Sequence, residues 1–389
     1  MNLLRKELRE LEEKGLRRYL RFLEGQQKEK VIIDGKEVLN LCSNNYLGLA
    51  NDERIKSAAK EAIDKYGIGS GASRLVAGSM SLHKRLEEKI AAFKEKEAAL
   101  LFNSGYTANL SAIPALCGKD DIIFSDKLNH ASIVDGILLS RAEFKRYPHK
   151  DMDRLEDMLR VTDGFRRKMI ITDTIFSMDG DIAPLPKIVE LAERYNAWIY
   201  IDEAHATGVL GKGGKGAIEH FGIEADKIQV QMGTLSKAVG SFGAFICGSK
   251  ALIEYLINKA RGFIYTTSLP PAICAASIAS LEIIENEPSL RQKVWENIVF
   301  LRDGLNRLGF DTLESETPII PVLTKEPNIT MEFSKKLLED GIFVQGIRPP
   351  TVPERKGRLR VTVMATHKKQ DLERALDSFE KVGKESGII

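Results

Sequence analysis

The sequence predicts an α/β fold: a mostly parallel sheet flanked by helices, followed by a smaller C-terminal α+β domain. Three observations carry this. Between about residues 50 and 280, short apolar runs alternate with helical stretches, which predicts a parallel sheet covered on both faces. After Pro270-Pro271 the order changes to a long helical region, a strand, a helix and a strand. Finally, a chain of 389 residues with 43% hydrophobic content exceeds what one core usually organises. The resulting division is an N-terminal segment 1–49, a large domain 50–280 and a C-terminal domain 281–389.

Taken in order, residues 2–24 carry Leu3, Leu4, Leu8, Leu11, Leu16, Leu20 and Leu23 at near-helical spacing among many charges, which predicts one amphipathic helix. Val31–Ile33, Asp34-Gly35 and Val38–Leu41 read as a hairpin with an Asp-Gly turn. The strands of the large domain are expected at Ala98–Phe102, Asp121–Phe124, Met169–Thr172, Trp198–Ile201, Ile228–Met232 and Ala244–Cys247. A long helical region follows to about residue 307. Then come a strand at Ile319–Leu323, a helix near 329–340 and a strand at Arg358–Val363.

Charge and cysteine usage exclude several classes. The 57 basic and 55 acidic residues nearly cancel, so no overall field argues for nucleic acid. Cys42, Cys117, Cys247 and Cys274 have neither disulfide nor metal-ligand spacing and read as reduced core thiols; no metal site is expected. The charged start lacks a secretory apolar core, and no run approaches transmembrane length. The expectation is a cytoplasmic protein without membrane contact.

Chemistry concentrates where parallel strands end, the usual ligand edge of such sheets. Lys237 follows an apolar strand in Gly233-Thr234-Leu235-Ser236-Lys237, flanked by small residues that let a planar ligand approach. Asp202 and His205 follow the run Ala197–Ile201 in the same way. A lysine amine able to condense with an aldehyde, with a carboxylate able to pair with a protonated ring nitrogen, is the pair that pyridoxal phosphate (PLP) requires. Each residue alone also reads as a solvated lysine or a strand cap; the two contexts together favour the cofactor. Asn103–Asn109 passes from a strand into a helical run and supplies backbone N–H groups for a phosphate. Thr234 could donate its hydroxyl to that phosphate. His130 reads either as a helix-capping or core histidine or as a ring stacked on the cofactor. His205 could reach the cofactor's phenolic oxygen or keep Asp202 ionised, and Ser177 could serve the same oxygen. The loop Gly211–Gly216 lacks the Gly-Lys-Ser/Thr end of a nucleotide-binding loop and reads as a flexible loop beside the site.

These motifs resemble those of the α-oxoamine synthases, a branch of the fold-type I PLP enzymes, over nearly the whole chain. The resemblance rests on Ser43–Leu49 (Ser-Asn-Asn-Tyr-Leu-Gly-Leu), Gly69–Arg74 (Gly-Ser-Gly-Ala-Ser-Arg), Asp202–Gly208 and Gly233–Lys237. It implies a fold-type I transferase with a seven-stranded-type sheet, in which an amino acid condenses with an acyl thioester and loses carbon dioxide. Ser73–Ser79, Tyr265–Pro271 and Ile347–Pro353 further resemble the branch that joins alanine to a pimeloyl thioester in biotin biosynthesis. The rival branch, which joins glycine to acetyl-CoA, usually carries Ser-Val-Arg-Phe-Ile-Cys-Gly where this chain has Ser73–Gly78.

The resemblance implies catalytic roles for Lys237, His130, Asp202 and His205. It implies cofactor contacts from Gly105, Tyr106, His130, Ser177, Asp202, His205, Thr234 and Lys237. Thr266 or Thr267 would reach the phosphate of a second subunit in a homodimer with shared active sites. Arg18, Asn44, His130, Thr351 and Arg360 would bind substrate, Arg360 pairing with the amino-acid carboxylate. The acyl group would arrive on coenzyme A or on an acyl carrier protein. A PLP-binding protein without acyl transfer is the reading from a different class.

Overall fold

Apolar runs too short for helices pair into a central sheet, as this computed structural model shows for residues 2–389. Seven strands lie in the order Ala98–Phe102, Ala244–Gly248, Val230–Thr234, Ala197–Asp202, Arg167–Asp173, Asp121–Asp126 and Glu143–Tyr147. All are parallel except Ala244–Gly248, which runs antiparallel to both neighbours. The central strands are buried along their whole length, which is why they read as continuous apolar runs without alternation. Phe102, Ile113, Ile133, Ile171, Tyr200, Met232 and Ile246 belong to one core cluster that joins strands to the helices Gly105–Leu116 and Ala131–Ser140.

The chain divides into two compact units where the sequence reading has three segments. The larger comprises Leu49–Ser177 and Ile182–Arg291 and holds the seven-stranded sheet. The smaller joins the chain up to Gly48 and the segment Met178–Asp181 to Gln292–Ile389. Strand pairing explains the second grouping. The hairpin Lys30–Ile33/Lys36–Asn40 gains a parallel third strand from Ile342–Phe343, and Thr362 N–H donates to Leu41 O. A second three-stranded sheet in this unit has the order Ile319–Lys325, Gly357–Thr362, Gln345–Ile347.

Four expectations are corrected. The N-terminal helix is Asn2–Glu13 rather than 2–24; Lys14-Gly15 turns the chain, and Gly15 takes φ +65°, a conformation suited to glycine after a helix end. The helical region after Pro271 is two helices, Pro271–Asn286 and Pro288–Arg307, because Pro288 lacks the N–H to continue the first. The strand Glu143–Tyr147 escapes the pattern search: it is an edge strand with three charged residues and only Tyr147 fully buried. The loop Gly211–Gly216 is braced, not loose. Glu219 accepts from Gly213 N–H and Lys215 N–H, and Arg291 donates to Lys212 O. Cys117, Cys247 and Cys274 are buried thiols, and among the described residues no cluster of metal-ligating side chains occurs. No helix among those residues is long and apolar enough to cross a membrane.

Candidate functional site

Every parallel strand in the middle of the sheet hands its next few residues to one cavity of about 200 Å³ in the larger unit. Gly105 and Tyr106 come from the segment after Phe102, His130 and Ser132 from the segment after Asp126, and Asp173 and Ser177 from the end of Arg167–Asp173. Asp202, Ala204 and His205 come from the fourth strand in sheet order, Thr234, Ser236 and Lys237 from the third. Thus Gly105, Tyr106, His130, Ser177, Asp202, His205, Thr234 and Lys237 line a single space. The cause is topological: parallel strands end on the same edge.

Lys237 Nζ lies 2.8 Å from His205 Nε2. Asp202 is 4% exposed, and its carboxylate is held from two sides: Oδ1 accepts Ala204 N–H at 2.9 Å and Oδ2 accepts the Asn109 amide at 2.9 Å. Thr234 Oγ1 meets Gly243 O at 2.9 Å and Ser236 Oγ at 2.7 Å, so its hydroxyl is engaged within its own turn. Tyr106 O–H bonds Asp135, and its ring meets His130 edge-on at 6.4 Å. The helix Gly105–Leu116 starts at the cavity with Ser104 as its N-cap, accepting Thr107 N–H at 3.1 Å.

The helix-capping reading of His130 holds. It is the N-cap of Ala131–Ser140, and its ring, part of which stays exposed, lines the cavity. Burial lowers its pKa below the usual imidazole value; Asp202 opposes that shift and Lys237 adds to it. Asp173, 5% exposed, sits in register with Asp202 on the adjacent parallel strand and accepts His130 N–H at 2.7 Å. Burial, reinforced by the Asp202 charge, pushes the Asp173 carboxyl well above the ordinary carboxylate range. Two carboxylates side by side at one strand edge therefore differ in environment.

Thr266 and Thr267 are elsewhere in this unit. The Asn103 amide donates to Thr266 Oγ1 at 3.3 Å and to Thr267 O at 3.0 Å, and Thr267 bridges Ser73. The four remaining substrate candidates belong to the smaller unit, in two pairs: Arg18 Nη2 donates to Thr351 Oγ1 at 3.1 Å, and Arg360 Nη1 to Asn44 Oδ1 at 3.1 Å. Arg360 is buried, while Arg18 and Thr351 are exposed.

Asp173, Asn109 and Ser132 were not singled out from sequence. A signal existed for Asn109: an amide inside the apolar helix run Ala108–Ile113 must find buried partners. The donor set as a whole fits PLP. It offers an amine for the aldehyde, a fixed carboxylate for the ring nitrogen and a helix N-terminus with small residues for the phosphate.

The family profile of class I and II aminotransferases matches residues 36–379. The chain is 54% identical over 385 residues to an 8-amino-7-oxononanoate synthase of Geobacter sulfurreducens, covering 98% of each chain. Among solved structures it superposes with TM-score 0.95 on a serine palmitoyltransferase from S. paucimobilis with bound PLP and myriocin, at 30% identity, covering 99% of this chain and 98% of that one. An 8-amino-7-oxononanoate synthase from Francisella tularensis aligns at TM-score 0.79 and 32% identity, over 90% of this chain and 99% of that one.

Proposed function

The chain belongs to the class I and II aminotransferase family, in its α-oxoamine synthase branch, and from that premise we propose that it joins L-alanine to a pimeloyl thioester. The products are 8-amino-7-oxononanoate, carbon dioxide and the free thiol carrier, a step of biotin biosynthesis. The observation that carries this reading is identity above 50% along the whole chain with proteins named for that activity, several from different bacteria.

The cavity residues would hold PLP, which would supply an electron sink for charge developing at the amino acid's α-carbon. The protein's own groups do the rest. Lys237 Nζ would hold the cofactor's aldehyde end and would serve as the base that takes the substrate's α-proton. Asp202, fixed by Asn109 and Ala204 N–H, keeps a proton on the pyridine nitrogen. His205, against Lys237 Nζ, helps hold that amine at the cofactor's oxygen side together with Ser177. Gly105, Tyr106 and Thr234 hold the phosphate at the helix start, Thr234 by turning its hydroxyl from Gly243 O. His130 covers the ring face. Arg360, with Asn44, pairs with the amino-acid carboxylate, a task suited to its planar fork. Arg18 and Thr351 bind the acyl substrate. Two copies form a homodimer in which Thr266 and Thr267 of one copy reach the phosphate of the other.

Purified protein reconstituted with PLP tests this by thiol release from acetyl-, hexanoyl- and pimeloyl-CoA and from pimeloyl carrier protein, each with alanine, glycine or serine. Alanine with a pimeloyl donor is expected to be fastest. The margin over glycine is modest, because one methyl group discriminates by only about 1–3 kcal/mol. A preference for glycine with acetyl-CoA would move the protein to the other branch. Lys237→Arg is expected to abolish turnover in a folded protein; normal activity in that variant would refute the lysine's role.

A further inference from the structure

Tyr200, Asn109, Ser132 and His130 form a continuous hydrogen-bonded row whose last two members line the cavity. Tyr200 O–H donates to Asn109 Oδ1 at 2.7 Å, which orients the Asn109 amide. Its Nδ2 group then donates twice, to Asp202 Oδ2 at 2.9 Å and to Ser132 Oγ at 2.9 Å. Ser132 Oγ lies 2.8 Å from His130 Nδ1, and Ser132 N–H is 3.2 Å from the same nitrogen.

Donor and acceptor capacity along this row permits one arrangement. A backbone N–H can only donate, so His130 Nδ1 is an acceptor. Ser132 Oγ already accepts from Asn109, which leaves its own hydrogen for Nδ1. The neutral imidazole therefore carries its proton on Nε2. Asn109 is 0% exposed and Ser132 1%, so water does not compete for these bonds. Asp173 adds the third hold by accepting His130 N–H.

The geometry points to Asn109 and Ser132 as positioning residues that fix His130 in its Nε2–H form and tie its orientation to Asp202. Resting on the proposed function, this assigns His130 a neutral N–H donor on a ring that lines the cavity. Its ligand is an acceptor atom, such as a substrate carboxylate or carbonyl oxygen. It also couples the histidine to the Asp202 carboxylate through two side chains, with Lys237 and Asp135 the other charged groups near the ring.

The test is NMR of cofactor-free and PLP-loaded protein with nitrogen-labelled histidine, the His130 signal assigned by its loss in His130→Gln. The wild type is expected to show His130 neutral and as Nε2–H near pH 7.5 in both states. Ser132→Ala removes one of two donors to Nδ1 and should lower the Nε2–H to Nδ1–H ratio about fivefold, the worth of one hydrogen bond. Ser132→Thr, which keeps the hydroxyl, should restore it. Asn109→Ala should shift the ratio in the same direction while Ser132 remains. An Nδ1–H or charged His130 in the wild type overturns the proposal, as does an unchanged ratio in both Ser132→Ala and Asn109→Ala. The cofactor-free measurement needs no turnover, so absent thiol release with the expected tautomer refutes the proposed reaction and leaves this inference standing.

Discussion

Replacing Lys94 by methionine should destabilise the protein far more than its distance from the chemistry suggests. Lys94 and Glu203 form an ion pair at 2.7 Å with both side chains fully buried. The Lys94 ammonium uses all three hydrogens: on Glu203, on Thr207 Oγ1 at 2.9 Å and on Lys215 O at 2.5 Å. Glu203 in turn accepts Ala217 N–H at 2.6 Å and the Gln231 amide. Methionine keeps the stem's bulk and deletes the charge, stranding an anion that water cannot reach. Breaking a buried pair from one side costs about 3–5 kcal/mol. Adding Glu203→Gln removes the stranded charge and leaves only imperfect hydrogen bonding, worth about 1–3 kcal/mol. Lys94→Met/Glu203→Gln should therefore be more stable than Lys94→Met alone, by roughly 2 kcal/mol. Urea unfolding followed by circular dichroism, at one fixed protein concentration, reads both midpoints and slopes. A loss below about 1 kcal/mol in Lys94→Met, or a double variant no more stable than the single, would refute the argument that the charge, not the contact area, matters here.

Two further outcomes follow from packing and titration. His367 accepts Met364 N–H on Nδ1 and reaches Asn40 O through Nε2, and burial lowers its pKa to about 4. Its folded pKa lies below its unfolded value, so its contribution is complete above about pH 6.5 and is lost as pH falls toward 4. The slope is up to about 1.4 kcal/mol per pH unit. Urea midpoints of wild type and His367→Gln between pH 7.5 and 5 should converge on acidification; parallel curves would contradict the assignment. Gly233 packs so closely on Phe245 of the neighbouring strand that a Cβ would meet the ring. Gly233→Ala should lower stability by about 1–3 kcal/mol, with partial recovery in Gly233→Ala/Phe245→Leu; an unchanged thermal midpoint in the single variant would show that the ring moves freely.

The central strands were legible because burial on both faces writes itself as an unbroken apolar run, and their ends delivered Lys237, Asp202, His205, Ser177 and His130 in one stroke. What escaped was of two kinds. Glu143–Tyr147 is a sheet strand by pairing with Asp121–Asp126, not by composition, so periodicity has nothing to detect. Ser132 and Asp173 look like ordinary polar residues in sequence, and even Asn109, whose place in an apolar helix run gave a signal, shows its partner Asp202 only as a contact between segments far apart in the chain. Thr234 shows the converse. Its residue type marks a hydroxyl at the strand end, but nothing in the sequence shows that the turn into the antiparallel strand Ala244–Gly248 brings Gly243 O within 2.9 Å of it. The break between Asn286 and Pro288 is legible in Pro288 itself, which has no N–H to continue the first helix.

Adjacent residues at the end of Ala197–Asp202 divide the labour of the site. Successive side chains on an extended chain point to opposite sides. Asp202 enters the cavity and is held by Asn109, while Glu203 turns away and is locked by Lys94, Gln231 and Ala217 N–H. The same alternation on the neighbouring strand sends Met232 into the cavity wall and Gln231 to Glu203. A shift of one residue along the strand would exchange the two faces and bring a longer, differently paired carboxylate to the cofactor position. The fully buried Lys94–Glu203 network makes that shift costly, since it would strand an ammonium, a carboxylate and an amide at once. Anchoring on the far face thus fixes the register of the catalytic one, and it does so within three residues of His205, whose ring sets the position of the Lys237 amine.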